Sequence, residues 1–170
     1  MNYLKGKTTY LIGAIKDLSD AGTTWRDTIT PKLNDFGLLV LDPCKKANGI
    51  SEIADAKQKF TNIILDEDWK QLKESFWPVV RWDLRSVDKS DFVIFDYNTD
   101  VNTVGSIHEL VVASSQKKPI LLKYNKHQLS KFNPWIATFI KEGHFFSSWD
   151  DMFNYLDEVD AGRLDTSLWV

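Results

Sequence analysis

DFVIFDYNTDVNTVGSIHELVVASSQKKP, residues 91–119, carries two periodicities in succession. Phe92-Val93-Ile94-Phe95 is a short apolar run of β-branched and aromatic residues, the pattern of a strand covered on both faces in a parallel sheet. A polar loop follows from Asp96 to Val104. From Gly105 the period changes, with Ile107, Leu110, Val111 and Ser114 at helical spacing, the stripe of a helix packed on that sheet. In open α/β sheets ligands bind beyond the carboxyl ends of the strands. A strand, loop and helix in this order therefore predict that Gly105, Ser106, His108 and Glu109 stand at such a crevice.

Working outward, Thr8 to Ile12 reads as a first strand, with Gly13-Ala14-Ile15 carrying the chain off its carboxyl end. Gly13 either lets the backbone approach a ligand or simply forms a tight turn. Thr24 is the expected N-cap of a helix whose apolar face is Trp25, Ile29, Leu33 and Phe36; Pro31 inside that pattern predicts a kink or a later start. Gly37 ends the helix, Leu38 to Leu41 is a second strand, and Asp42-Pro43 closes it. Residues 51–75 read as irregular helix. Phe76-Trp77-Pro78 predicts a boundary, with a new helix from Pro78 to about Lys89 feeding the central strand. Ile120 to Leu122 is a fourth strand and Lys123 to Pro134 a loop expected to lie over the site. Trp135 to Ile140 is a short helix and His144 to Phe146 a fifth strand. Ser148 or Asp150 caps a last helix bearing Met152, Phe153, Leu156 and Val159. Strands alternating with helices predict a single doubly wound α/β domain over residues 1–170, of Rossmann or flavodoxin-like type, with about five mainly parallel strands.

At 170 residues and 43% hydrophobic content the chain is long enough to bury a core. A net charge of -3 gives no electrostatic footprint for a nucleic acid polymer or an acidic membrane. The lone Cys44 excludes an internal disulfide and fits a reducing compartment. No apolar run approaches the roughly 18 residues of a membrane span, and the opening MNYLKGKTTYLIGAI lacks a signal-peptide pattern. These features predict a soluble, cytoplasmic protein. Neither GxGxxG, GxxxxGK[ST] nor GxSxG occurs, and His108, His127 and His144 have no metal-ligand spacing with Cys44. Kinase, Rossmann dehydrogenase, zinc hydrolase and α/β-hydrolase chemistry are disfavoured, and neither a cofactor nor a metal is expected.

Carboxylates are left as the candidate chemistry. Asp83 lies between Trp82 and Leu84, close to buried surface, where a carboxylate needs a partner. Asp88 and Asp91 fall where a helix end disfavours negative charge, so each is either solvated or bound to something. Glu109 reads either as a functional acid at the crevice or as a first-turn glutamate that complements the helix dipole.

Several of these residues together resemble the nucleoside 2-deoxyribosyltransferase family and its hydrolase relatives, the deoxynucleotide N-glycosidases. They are Tyr10-Leu11-Ile12-Gly13-Ala14-Ile15; Trp25-Arg26; Gly37 with Val40, Asp42 and Pro43; Asp83-Leu84 and Asp91; Gly105 through Glu109-Leu110; and Lys118-Pro119. The resemblance covers most of residues 8–122, and the interval from Asp83 to Glu109 agrees with the family's pairing of an active-site aspartate and a nucleophilic glutamate.

What the resemblance implies is an enzyme acting on the N-glycosidic bond of a small nucleoside or nucleotide. Glu109 would attack the anomeric carbon, Asp83 would handle the base or its proton, and Tyr10 would orient the glutamate or the sugar. Gly13 and Gly105 would leave room for the ribose, and Ala14 and Asp91, in the matched set, are further candidates for binding the substrate. Asn102 and Ser106 are candidates for the sugar hydroxyls or a 5′-phosphate. Arg26 either contacts a phosphate or is a solvated helix residue. Where the transferases usually carry an aspartate ahead of the nucleophile, this chain has Thr103. Transferases of this group often complete the site from a neighbouring subunit, so a homo-oligomer is implied. The apolar end Leu168-Trp169-Val170 fits that arrangement or packing on its own domain. A hydrolase of nucleoside monophosphates or an NAD-like N-glycoside, and a non-catalytic nucleotide-binding module on the same fold, are the alternatives.

Overall fold

A computed structural model of the chain describes residues 2–15, 18–45, 51–101, 103–164 and 167, and of residues 51–57 the backbone alone. In chain order the elements are β1 (Thr8–Gly13), α1 (Thr23–Asp35), β2 (Leu39–Leu41), a 3₁₀ turn (Pro43–Lys45), α2 (Ser51–Leu65), α3 (Trp69–Lys89), β3 (Phe92–Tyr97), α4 (Val104–Ser115), β4 (Ile120–Tyr124), a 3₁₀ segment (Lys126–Lys131), α5 (Pro134–Ala137), β5 (Phe145–Phe146) and α6 (Trp149–Asp160). The five strands form one sheet in the order β2-β1-β3-β4-β5, and all four pairings are parallel. This is the flavodoxin-like doubly wound sheet that the alternating pattern predicts. The order runs outward in both directions from β1 and β3, so the crevice where it reverses opens at their carboxyl ends.

Strand alternation splits the interior into two cores. On one face Leu11, Phe92, Ile94 and Leu121 pack against Ile29 and Leu33 of α1 and Met152, Leu156 and Val159 of α6. On the other, Tyr10, Ile12, Val93, Phe95 and Leu122 pack against Val87 of α3, Leu110 and Ala113 of α4 and Ile136 of α5. Phe92 to Phe95 are fully buried, as a strand at the centre of a sheet covered on both sides must be.

Several boundaries differ from the sequence reading. Pro78 does not divide two helices: α3 runs unbroken through it, with Pro78 on the exposed side. The break falls earlier, where Glu67 takes a left-handed φ of 53° and the Asp68 carboxylate caps α3 by accepting from the Gln71 N–H. A capping aspartate satisfies amides that a proline cannot. The cost of an interior proline, about 3 kcal/mol, is offset by the packing of α3 on α2 and α4. Pro31 likewise sits within α1, which starts at Thr23 rather than later. Thr24 is not its cap. Asp20 accepts from the Gly22 and Thr24 N–H groups at 2.9 and 3.1 Å, and Gly22 itself is left-handed. α5 is shorter than expected, whereas Ser148 caps α6 as expected, accepting from the Asp151 N–H. Leu168-Trp169-Val170 lies outside the described residues.

Candidate active site

Three of the residues singled out from the sequence meet. Tyr10 is on the middle of β1, in register with Val93, and alternation turns its ring toward α3 and α4. Its hydroxyl is 3.0 Å from Glu109 Oε1 and 3.2 Å from Asp83 Oδ1. α4 descends from the carboxyl edge of the sheet and brings Glu109 in on its second turn. α3 runs the opposite way, toward the start of β3, and brings Asp83 from the other side. Both helices therefore cross β1 at the level of Tyr10. Tyr10 is fully buried and Glu109 is 9% exposed.

The phenol has one proton for two carboxylates, so it ties them together and orients whichever accepts it. Burial, then the negative charges of Glu109 and Asp83, push the Tyr10 hydroxyl well above its ordinary value, so it is protonated and donating at any working pH.

Ser106 sits one turn before Glu109 and is buried with it. Gly105 is exposed, and a Cβ built there meets nothing within 4 Å. His108 is exposed, and Thr103, at the N-cap position of α4, makes no side-chain cap bond. Asn102 lies outside the described residues. Gly13 and Ala14 are buried at the end of β1. A Cβ at Gly13 would stand 2.8 Å from Trp25 Cζ2 and 3.3 Å from Arg26, so the close approach this glycine permits is that of α1.

Two other candidates are elsewhere. Asp91 precedes β3 at the amino edge of the sheet, five residues below Asp96, or about 16 Å at strand rise. There its carboxylate accepts from the Thr8 N–H at 2.6 Å. It joins the starts of two strands and is not brought to Glu109. Arg26 is on the opposite face of β1 from Tyr10 and is fully buried, not solvated. It donates to the carbonyls of Gly22 (2.7 Å), Gly13 (3.0 Å) and Leu11 (3.3 Å), and its Nε is 3.6 Å from Asp42. Its donors tie the end of β1 to the start of α1, with Asp42 beside them.

The sequence reading passed over a further pair at the carboxyl edge. Asp96 and Lys123, in register on β3 and β4, stand 3.4 Å apart. Burial raises the Asp96 carboxyl above the usual range, partly countered by Lys123. Lys123 also lies 5.5 Å from the ring of Trp149, which stacks on Trp25 at 5.4 Å. The available signal was a charged residue at the end of each of two apolar strands.

Two surface hollows flank the molecule away from these residues. One of about 870 Å³ runs along α6 and is lined by Tyr155, Asp157 and Arg163 among others; one of about 220 Å³ lies near the start of β4, beside Lys117, Lys141 and His144. Neither is lined by Tyr10, Asp83 or Glu109. Among the described residues no group of three or more His, Cys, Asp or Glu side chains could hold a metal ion, and no helix is long and apolar enough to cross a membrane.

No protein-family model matches the chain, and no curated protein does. A solved structure matches well: a 2-deoxyribosyltransferase from the psychrotolerant bacterium Bacillus psychrosaccharolyticus, described as a biocatalyst for nucleoside synthesis, superposes with a TM-score of 0.57. The two chains share a fold. The match covers 87% of this chain and 91% of that one, at 17% sequence identity. At that identity the likeness is one of architecture: the same doubly wound sheet places its switch-point crevice at the carboxyl ends of the central strands.

Proposed function

We propose that this protein cleaves or exchanges the N-glycosidic bond of a nucleoside or nucleotide, with Glu109 as the nucleophile. The observation that carries the reading is the convergence of Glu109 and Asp83 on the Tyr10 hydroxyl, at 3.0 and 3.2 Å. Two carboxylates held near one centre by a neutral donor are the equipment for a double displacement at an anomeric carbon.

In the first step a Glu109 oxygen forms a bond to the anomeric carbon. The bond from that carbon to the base nitrogen breaks, its electron pair leaves with the base, and Asp83 passes to the base a proton taken up from solvent. Tyr10 holds Glu109 in the attacking orientation and disperses charge on its carboxylate. In the second step an incoming base or water attacks the same carbon, Asp83 takes up the proton, and the ester to Glu109 is released. A base as acceptor makes the protein a transferase, and water makes it a hydrolase.

The second reading is a nucleotide-binding module without turnover. The near-complete burial of Glu109 and the residue Thr103 favour it. One experiment separates the readings. The protein is incubated with deoxynucleosides and deoxynucleoside monophosphates, with and without a free acceptor base, and products are separated by chromatography. Exchange indicates a transferase and release alone a hydrolase. We expect Glu109→Ala to abolish either reaction with an unchanged circular dichroism spectrum; a Glu109→Ala protein that turns over at the original rate removes Glu109 as the nucleophile.

A further inference from the structure

A second group of polar side chains gathers at the same edge of the sheet, and the reaction above makes no use of it. Gln128, in the 3₁₀ segment after β4, is only 6% exposed. Its Nε2 donates to Asn98 Oδ1 at 3.1 Å and to Asp100 Oδ2 at 2.6 Å, so both amide hydrogens are engaged. Its Oε1 accepts from Asn125 Nδ2 at 3.1 Å. Asn125 in turn accepts from Lys123 Nζ at 2.6 Å, and Lys123 faces Asp96. Lys131 Nζ holds the other oxygen of Asp100 at 2.5 Å, while Asn98 Oδ1 also takes the Asp100 N–H at 3.0 Å.

These bonds link one segment, Lys123 to Lys131, to another, Asp96 to Asp100. The second is the end of β3 and the residues that follow it on the way to α4. Glutamine in a surface connection is ordinarily solvent-facing, and bonds between two side chains are a small minority of protein hydrogen bonds. A buried amide with both donors and its acceptor satisfied fixes geometry as well as adding stability. Asp100 lies four residues before α4 begins at Val104, and Glu109 stands on the second turn of that helix. Lys131, then Gln128, keeps the Asp100 carboxyl below its usual range.

We propose that Gln128 is a positioning residue for Glu109: its buried amide clamps Asn98 and Asp100, just after β3, and so sets the angle at which the glutamate meets the anomeric carbon. The inference rests on the proposed reaction, and Gln128 itself touches no reacting atom. A misplacement of about 1 Å in the nucleophile costs on the order of 10²-fold in rate. Loss through misplacement falls on kcat with KM held, because ground-state binding is untouched.

The test uses the full chain as Gln128→Leu, which removes both donors, and Gln128→Glu, which sets a carboxylate against Asp100. Hydrogen exchange followed by mass spectrometry is read over 98–109, and kcat and KM for base release are measured on the nucleoside turned over fastest. Faster exchange confined to 98–109, with kcat lowered on the order of 10²-fold and KM held, supports the clamp. Asp100→Ala should give part of that loss, since the Gln128 bond to Asn98 remains, and the double variant less than the sum of the two, because they share one contact. Unchanged exchange over 98–109 overturns the proposal. So does loosening without a fall in kcat, or exchange that rises throughout the molecule, which marks general destabilisation. Should the unmodified protein release no base from any nucleoside offered, the reaction falls on its own. Exchange at 104–109 then decides whether Gln128 positions the first turns of α4.

Discussion

Removing the Tyr10 hydroxyl alone, as Tyr10→Phe, strikes the point where the two carboxylates meet. The ring is fully buried among Ile12, Val93 and Phe95, and phenylalanine keeps its volume, so the packing term is close to zero. What is lost is one proton shared between Glu109 at 3.0 Å and Asp83 at 3.2 Å. A hydrogen bond to a charged group contributes about 1.5–3 kcal/mol. Asp83 is only half-buried, whereas Glu109 is 9% exposed, so the larger share of the loss falls on Glu109. The expected destabilisation is about 2 kcal/mol, or roughly 4–8 °C in midpoint for a chain of this length. Urea unfolding followed by the fluorescence of the seven tryptophans reads it directly. If Glu109 is the nucleophile and loses the same orienting energy in the transition state, base release falls on the order of 30-fold. A Tyr10→Phe protein with the original urea midpoint and the original turnover refutes the idea that this hydroxyl organises the site.

Other expectations follow from single contacts. Arg26→Met should cost about 3–5 kcal/mol by stranding Asp42 and three buried carbonyls; a urea midpoint within error of the original would show that these bonds contribute nothing. Gly13→Ala should destabilise by about 1–3 kcal/mol because its Cβ collides with Trp25, whereas Gly105→Ala, with open space around it and a helical backbone, should stabilise by about 0.5–1 kcal/mol. If the open space at Gly105 admits substrate, Gly105→Ala should also raise KM, and a lowered thermal midpoint would contradict the geometry. Burial, together with the charge of Lys141, pushes the His144 imidazole down to about 4. Its folded value lies below its unfolded one, near 6.5, so between those values the unfolded chain binds more protons. Stability should therefore fall as pH drops from about 6.5 to about 4, by up to about 3 kcal/mol, and His144→Gln should flatten that slope in urea titrations.

Legible in the chain itself was everything that depends on local periodicity. The apolar runs at Thr8, Phe92 and Ile120 and the helical stripe of 105–114 required a parallel sheet with helices on both faces, because a strand without a polar face must be covered twice. The placement of Glu109 near the start of the helix after the central strand follows from the same pattern. Contacts between distant residues were not legible. Tyr10 meets Asp83 across 73 positions and Glu109 across 99. Nothing in the spacing of a helix states where along a strand it will cross. Arg26 was ambiguous because an arginine buried against strand-end carbonyls and one in solvent present the same local sequence. Asp91 fell in the same matched set, yet its carboxylate is spent on the Thr8 N–H at the start of β1, whereas Glu109 meets the Tyr10 hydroxyl on the face toward α3 and α4. At Pro78 a local rule lost to packing, since α3 gains more against α2 and α4 than one missing amide costs. Sequence periodicity settled which faces are apolar; only the folded sheet, by fixing the height at which α3 and α4 cross β1, decided which acids share a proton.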